Sequence, residues 1–157
     1  MHLTQFSDYS LRVALYLAAH PDKQVTVEEI SRSYRISRNH LTKVVQRMAD
    51  LGVVASTRGR GGGFRLAMDP ADINVGWLVR QTEPHFDLVE CFDPATNTCP
   101  IAPACGLKGA LARAQQAFLK VLNEYTLASF QGQRRELLSI WEVFRPDDEG
   151  AGGADPG

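Results

Sequence analysis

At 157 residues with an apolar fraction of 44%, the chain has enough material for one domain with a real core, or a small domain plus an extension. Its three cysteines are an odd number and argue against a disulfide framework. The apolar stretch Leu11–Ala19 is interrupted by Arg12 and too short to span a membrane, so a soluble, cytoplasmic protein is expected. Net charge is −1, yet Ser31–Arg65 carries eight basic residues and one acid (+7) while the remainder carries −8, the footprint of a phosphate-binding surface.

In chain order, Ser7 is expected to cap a helix over Tyr9–Ala19 that His20-Pro21 ends. Thr26 caps a second helix over Val27–Tyr34, with Glu28 and Glu29 in its first turn. Ser37 caps a third, from Arg38 to about Leu51, stopped by Gly52. Two short helices joined by a tight turn, the second rich in basic residues, form the helix-turn-helix pattern. On the third helix Leu41, Val44, Val45, Met48 and Leu51 fall within an arc of about 120°. The opposite face offers Asn39, Lys43 and Gln46, flanked by Arg38, Thr42 and Arg47, side chains of the kinds that read base edges or hold phosphates.

Val53–Thr57 and Phe64–Met68 are β-prone runs around the glycine-rich turn Arg58-Gly-Arg-Gly-Gly-Gly63, which predicts a hairpin. Directly after a recognition helix such a hairpin is a wing. Arg58 and Arg60 then join the DNA-binding residues, Arg60 reaching a minor groove from the tip. A nucleotide phosphate loop would need Gly-Lys-Ser/Thr leading into a helix, which is absent.

After a turn at Asp69-Pro70, a short helix is expected over Val75–Thr82, ending before Pro84. His85–Cys105 contains Pro94, Pro100 and Pro103 and is read as a loop with at most one helical turn. From Gly106 to about Leu127 a long helix repeats Leu107, Leu111, Ala114, Phe118, Val121 and Tyr125 at heptad-like intervals, a seam that favours a homodimer. Gln133–Phe144 makes a last small helix, and the Gly/Asp-rich end is expected to be disordered. The division is a DNA-binding domain over 1–72, a connecting helix and cysteine loop over 73–105, a dimerisation helix and C-terminal segment over 106–145, and a tail over 146–157.

All the cysteines lie in that proline-broken loop: Cys91, Cys99 and Cys105, separated by seven and five residues. Structural zinc sites pair ligands more closely, and ferredoxin spacings do not match either. Three cysteines confined to fifteen residues still favour a metal or cluster over redox thiols, and either over buried structural cysteines. No Cys-x-x-Cys, His-Glu-x-x-His or phosphate loop is present, and His20, His40 and His85 stand apart, so no enzyme is expected.

At this point the residues carry a resemblance. The opening Met1-His-Leu-Thr-Gln-Phe-Ser-Asp-Tyr-Ser-Leu-Arg12, the helix start Ser37-Arg-Asn-His-Leu41, the wing Arg58-Gly-Arg-Gly-Gly-Gly-Phe-Arg-Leu66 and the loop Cys99-Pro-Ile-Ala-Pro-Ala-Cys105 occur in one order. They resemble, over roughly residues 1–130, the winged-helix iron–sulfur repressors, the family of the nitric-oxide sensor NsrR and the cluster-biogenesis regulator IscR. Thr82-Glu-Pro84 and Asn123-Glu-Tyr-Thr-Leu-Ala128 are similar to the nitric-oxide sensors in particular.

The resemblance implies a mainly α fold with a small β-hairpin wing: a winged helix-turn-helix domain plus a long dimerisation helix. It implies a homodimeric repressor of palindromic operator DNA that holds one iron–sulfur cluster per subunit on Cys91, Cys99 and Cys105. A [4Fe–4S] cluster is favoured over [2Fe–2S]. Nitric oxide is the signal, and its attack on the cluster releases the DNA. In the biogenesis regulator a histidine three residues after the last cysteine completes the set; the equivalent here is Lys108, which cannot serve. In the nitric-oxide sensors an N-terminal aspartate of the partner subunit does so, and Asp8 occupies the matching place, where a helix-start acid would also suit the macrodipole. The seven-residue first gap is longer than the usual four or five, a departure that loop closure absorbs at small entropic cost. The alternative on the same fold is a [2Fe–2S] sensor of redox state or cluster supply.

Overall fold

The computed structural model describes residues 2–57, 59 and 62–143. Six α-helices and one antiparallel hairpin follow the chain as α1 (Gln5–Ala19), α2 (Val27–Tyr34), α3 (Arg38–Asp50), β1 (Val54–Thr57), β2 (Gly63–Leu66), α4 (Val75–Thr82), α5 (Gly106–Asn123) and α6 (Arg134–Val143). Three 3₁₀ segments, Glu90–Phe92, Ala102–Ala104 and Leu127–Gln133, punctuate the connections. The fold class is the expected one, mainly helical with a two-stranded wing, while Arg58, Arg60 and the tail lie outside the described residues.

The first helix begins earlier than its sequence suggests. Thr4, not Ser7, is the N-cap, its Oγ1 accepting from the Ser7 amide at 3.2 Å. Position 4 wins because the Glu83 carboxylate also accepts from the Thr4 amide at 2.7 Å and from its hydroxyl at 3.1 Å. Ser7 is completely buried and spends its hydroxyl on Thr82 instead, at 2.9 Å.

The second helix has the full capping box. Thr26 Oγ1 accepts from the Glu29 amide at 3.2 Å, and the Glu29 carboxylate accepts from the Thr26 amide at 2.7 Å and from Lys23 Nζ at 2.8 Å. Burial alone would raise the Glu29 carboxyl, but Lys23 and the Thr26 donors outweigh it and hold it below its usual range. A carboxylate depressed by folding stabilises the fold above its unfolded pKa and loses that contribution as pH falls through the folded one. Thr26→Ala should therefore cost about 1 kcal/mol. The urea-midpoint gap between wild type and Glu29→Gln should shrink on acidification below the ordinary carboxylate range.

Third in the core is α3, whose Leu41, Val44 and Met48 are buried while Val45 and Leu51 are half-buried, as the angular reading requires. Each fully buried aliphatic side chain of this size contributes about 1.5–3 kcal/mol. Ser37 occupies the N-cap position without making a side-chain cap bond. Gly52, at φ +74°, turns the chain out of the helix, with the Val53 amide donating back to the Met48 carbonyl at 2.9 Å.

The wing pairs Val54 with Leu66 and Thr57 with Gly63, and its inner edge is extended by Val25. Val25 and Phe64 exchange both backbone hydrogen bonds, at 2.9 and 2.8 Å. A Cβ at Gly63 would stand 2.7 Å from the Val25 carbonyl oxygen, so glycine there serves close backbone approach.

The fifth helix stops at Asn123 rather than near Leu127, because α4 claims the carbonyls that would continue it. Asn74 Nδ2 donates to the Asn123 carbonyl at 2.7 Å and the Val75 amide to Tyr125 at 3.0 Å. Arg80 Nη1 reaches Asn123 Oδ1 at 2.7 Å. A strand-like bridge between Asn74 and Thr126 then leads the chain into Leu127, which is buried in the core. No described residue of α5 is buried; Leu107 and Val121 are 65% and 51% exposed.

Candidate nucleic-acid interface and cysteine loop

Every predicted base- or phosphate-contacting residue of α3 is solvent-exposed: Arg38, Asn39, Thr42, Lys43, Gln46 and Arg47. They share one helix face because their spacing places them opposite the buried stripe. Their side chains are not equivalent. Arg38 Nη1 pairs with Glu28 of α2 at 2.8 Å, and Arg32 Nε shares that carboxylate at 3.1 Å. Both guanidinium groups hold the exposed Glu28 carboxyl below its usual range against a desolvation effect that raises it. Gln46 Nε2 donates to Asp50 at 3.0 Å, and Thr42 Oγ1 donates to the Arg38 carbonyl at 2.8 Å. Arg47 Nη2 leaves the helix face altogether and donates to the Gln81 carbonyl at the end of α4, at 3.1 Å. Asn39 and Lys43 have no partner among the described residues and stand ready for an external one.

Lys43 is thus the unpaired cation at the centre of this face. Lys43→Ala should weaken binding to all DNA sequences alike and lower the salt slope of the binding constant by about one, as measured by titration at several salt concentrations.

The helix-turn-helix turn is built on Arg35, which adopts a left-handed conformation at φ +55°. Glu28 was readable in the sequence only as a first-turn acid. Its spacing to Arg32 at i+4 signals one pair, but the reach to Arg38 depends on the angle between α2 and α3.

The loop between α4 and α5 holds the three cysteines, all free and all half-buried. It contains two single 3₁₀ turns where one at most was expected. Cys91 sits inside the first, Glu90–Phe92. The long gap to Cys99 is organised by two carboxylates. Asp93 accepts from the Ala95 amide and the Thr96 hydroxyl, both at 2.9 Å, and these donors hold its carboxyl below the usual range. Glu90 accepts from the Thr98 amide at 3.2 Å and its hydroxyl at 3.1 Å. The extra residues of this gap therefore form a self-bonded turn. Cys105 occupies the N-cap position of α5 without making a side-chain cap bond.

Three thiols free of disulfides suit a soft, thiolate-bound iron–sulfur group in donor type. They are not gathered, however: among the described residues no three His, Cys, Asp or Glu side chains converge as a metal site would require. Asp8 lies in the first turn of α1, half-buried and gripped by Arg12 through Oδ2 at 2.7 Å and Oδ1 at 3.0 Å. The Arg12 guanidinium in turn lies over the rings of Tyr9 and Tyr34 at 5.9 and 5.8 Å. Between the start of α1, the loop after α4 and α5 runs a largely apolar groove of about 780 Å³, lined by Leu3, Leu11, Phe86, Leu111, Phe118 and Leu122 among others.

His20 is the C-cap of α1 and stacks on Tyr16 at 4.3 Å, while His40 lies 6.1 Å from Tyr9 and His85 pairs with Asp87 at 3.6 Å. Among the described residues no helix is long and apolar enough to cross a membrane.

Comparison with known proteins agrees with this architecture. The Rrf2 family model, described as an iron-dependent transcriptional regulator, matches residues 3–133. The HTH-type transcriptional regulator NsrR of Bacillus subtilis (strain 168) is 48% identical over 144 residues, covering 91% of this chain and 99% of that protein. The regulator of the same name from Shouchella clausii (strain KSM-K16) is 50% identical over 128 residues, covering 81% and 86%. Among solved structures, T. potens IscR matches with a TM-score of 0.69 at 24% identity, over 87% of this chain and 90% of that one. CymR (YrzC), the global cysteine regulator of B. subtilis, matches at 0.66 and 22% identity, over 84% and 97%. The last two likenesses establish a shared fold.

Proposed function

We propose, from the premise that this chain belongs to the Rrf2 family of transcriptional regulators, that it is a dimeric repressor which senses nitric oxide through an iron–sulfur cluster. It is a DNA-binding regulator and not an enzyme. The observation that carries the sensing reading is the confinement of three free, half-buried thiols to the one loop that joins α4 to α5.

Cys91, Cys99 and Cys105 would hold the cluster, [4Fe–4S] in preference to [2Fe–2S], with Asp8 of the partner subunit as fourth ligand. When bound, such a group supplies iron open to attack by nitric oxide. The protein's own part is positional. The exposed face of α3, with Lys43 and Asn39 unpaired and Arg38 aimed by Glu28, enters the major groove of each half of a palindromic operator. Arg58 and Arg60 extend the contact from the wing, Arg60 into the minor groove. Asp8 is held by Arg12 of its own helix, and the other subunit's loop would compete for the same carboxylate. A carboxylate is a weak, hard ligand for a soft site, so the tie it makes between subunits is readily given up. Without that tie Asp8 would stay with its own Arg12, the loop would be free, and the two recognition helices would lose their common spacing.

Anaerobic purification, followed by absorption spectra and operator binding with and without nitric oxide, tests this. The expected result is a coloured iron protein with four irons per subunit whose operator affinity collapses on exposure to the gas. An iron-free protein, or a cluster and DNA affinity indifferent to nitric oxide, would refute the sensing reading. A two-iron spectrum that changes with redox state would instead place the chain with regulators of redox or cluster supply.

A further inference from the structure

We propose that Gln81, Thr82 and Glu83, which end α4 immediately before the cysteine loop, are positioning residues that set where α1 and the recognition helix stand. Three consecutive residues each grip the DNA-binding domain at a different point. The Gln81 carbonyl accepts from Arg47 Nη2 in the last turns of α3, at 3.1 Å. The buried Thr82 hydroxyl accepts from Ser7 Oγ at 2.9 Å and donates its own proton to the Leu78 carbonyl at 3.0 Å. The Glu83 carboxylate accepts from both the amide and the hydroxyl of Thr4, the N-cap of α1. The next residue, Pro84, opens the loop that leads to Cys91.

The opposite end of α4 is equally tied down. Asn74 and Val75 bond the end of α5, Gly76 lies too close to the Asn123 side chain to admit a Cβ, and Arg80 reaches the same Asn123 from the last turn of α4. A short helix fixed to α5 at one end and to α1 and α3 at the other has no flexible joint in which a displacement can dissipate. Movement of the loop at Pro84 is therefore delivered to Thr4, Ser7 and Arg47. The contacts are unequal in weight. Thr82–Ser7 is buried, so removing one hydroxyl strands the other in the core, whereas Arg47–Gln81 is exposed and contributes less. Thr82 and Glu83 consequently dominate the coupling. The inference rests on the reading of the chain as a regulator whose loop senses, and adds the route from that loop to the DNA.

The test uses the full chain with Thr82→Val, Glu83→Ala and the conservative Glu83→Gln, which keeps an acceptor for Thr4. Amide hydrogen exchange and operator affinity are measured on iron-free and iron-loaded protein. Thr82→Val and Glu83→Ala should speed exchange at the start of α1 and the end of α3, and weaken iron-free operator binding by about ten-fold. In the same variants iron-loaded binding should weaken by more than this, so that the ratio of operator affinities between iron-loaded and iron-free protein moves toward one. Glu83→Gln should restore both. Faster exchange with unchanged operator affinity in Glu83→Ala would overturn the proposal, since the contact would then be merely structural, and this arm stands if Thr82→Val fails to fold. Were wild-type affinity insensitive to iron, the sensing reading would fall, while the iron-free measurements would still decide the positioning role.

Discussion

Truncation of Trp141 to alanine is expected to lower the unfolding free energy by about 3–5 kcal/mol. The indole is 5% exposed although it lies on the last helix, and it packs into a cluster drawn from three elements. Its ring lies 4.7 Å from Tyr16 and 5.9 Å from His20 of the first helix and its cap, and 5.6 Å edge-on from Tyr34 of the second. Tyr16 is itself held by Ser33, and Tyr34 donates its hydroxyl to the Arg12 carbonyl at 3.3 Å. Burial pushes the Tyr34 phenol well above its usual range, so it stays protonated and keeps that donor. Removing Trp141 opens a void beneath Tyr16 and leaves α6 held mainly by Leu137, Leu138 and the Arg134 bond to the Ala19 carbonyl, at 2.7 Å. Urea denaturation followed by far-ultraviolet circular dichroism measures the cost. A loss under about 1 kcal/mol would mean that α6 contributes little to the fold. Arg134→Gln should cost much less, since it gives up one partly exposed hydrogen bond.

That cluster marks the boundary of what local pattern reveals. The extents of α2 and α4 follow from signals inside a few residues: the Thr26/Glu29 box, Asn74 capping Trp77, and Pro84 beyond the end. The buried stripe of α3 follows from periodicity. Where the expectation missed, a distant residue had the deciding energy. Glu83 moved the start of α1 back to Thr4, and Asn74, Val75 and Arg80 ended α5 at Asn123. Trp141 reads locally as one apolar position on a short helix; which aromatic residues it meets depends on how three helices pack. Gly63 and Gly76 did carry a usable sign, because glycine inside a strand or helix points to close approach by another backbone or side chain. The candidate site divides in the same way. The donor types and their confinement to one loop were legible, as was the exposed face of α3. The Glu28 hold on Arg38, the diversion of Arg47 to Gln81 and the pairing of Asp8 with Arg12 are decided by tertiary placement or rotamer choice, and spacing alone does not specify them.

The predicted seam of α5 also divides, and that division shapes the second large effect. Leu111 and Phe118 line the groove against the chain's own first helix and loop, so they are half-buried already. Leu107 and Val121, at opposite ends of the same 18-residue helix, face solvent in the single chain at 65% and 51% exposure. The helix is about 27 Å long, enough for two copies to bury a continuous stripe in a symmetric dimer. Changing both to lysine should leave the monomer folded, because neither side chain supports its core. In a two-fold interface each substitution appears twice, so four ammonium groups would have to be desolvated in the contact. Loss of two exposed apolar side chains from each subunit and burial of that charge should raise the dimer dissociation constant by on the order of a hundred-fold or more. Sedimentation velocity over a range of concentrations measures the shift, and operator binding should weaken with it because one subunit engages only a half-site. Circular dichroism and the urea midpoint at low protein concentration provide the control, and both should match wild-type monomer. A double variant that remains dimeric at wild-type concentrations would remove Leu107 and Val121 from the interface and leave the groove beside Leu111 and Phe118 as the surface through which two copies meet.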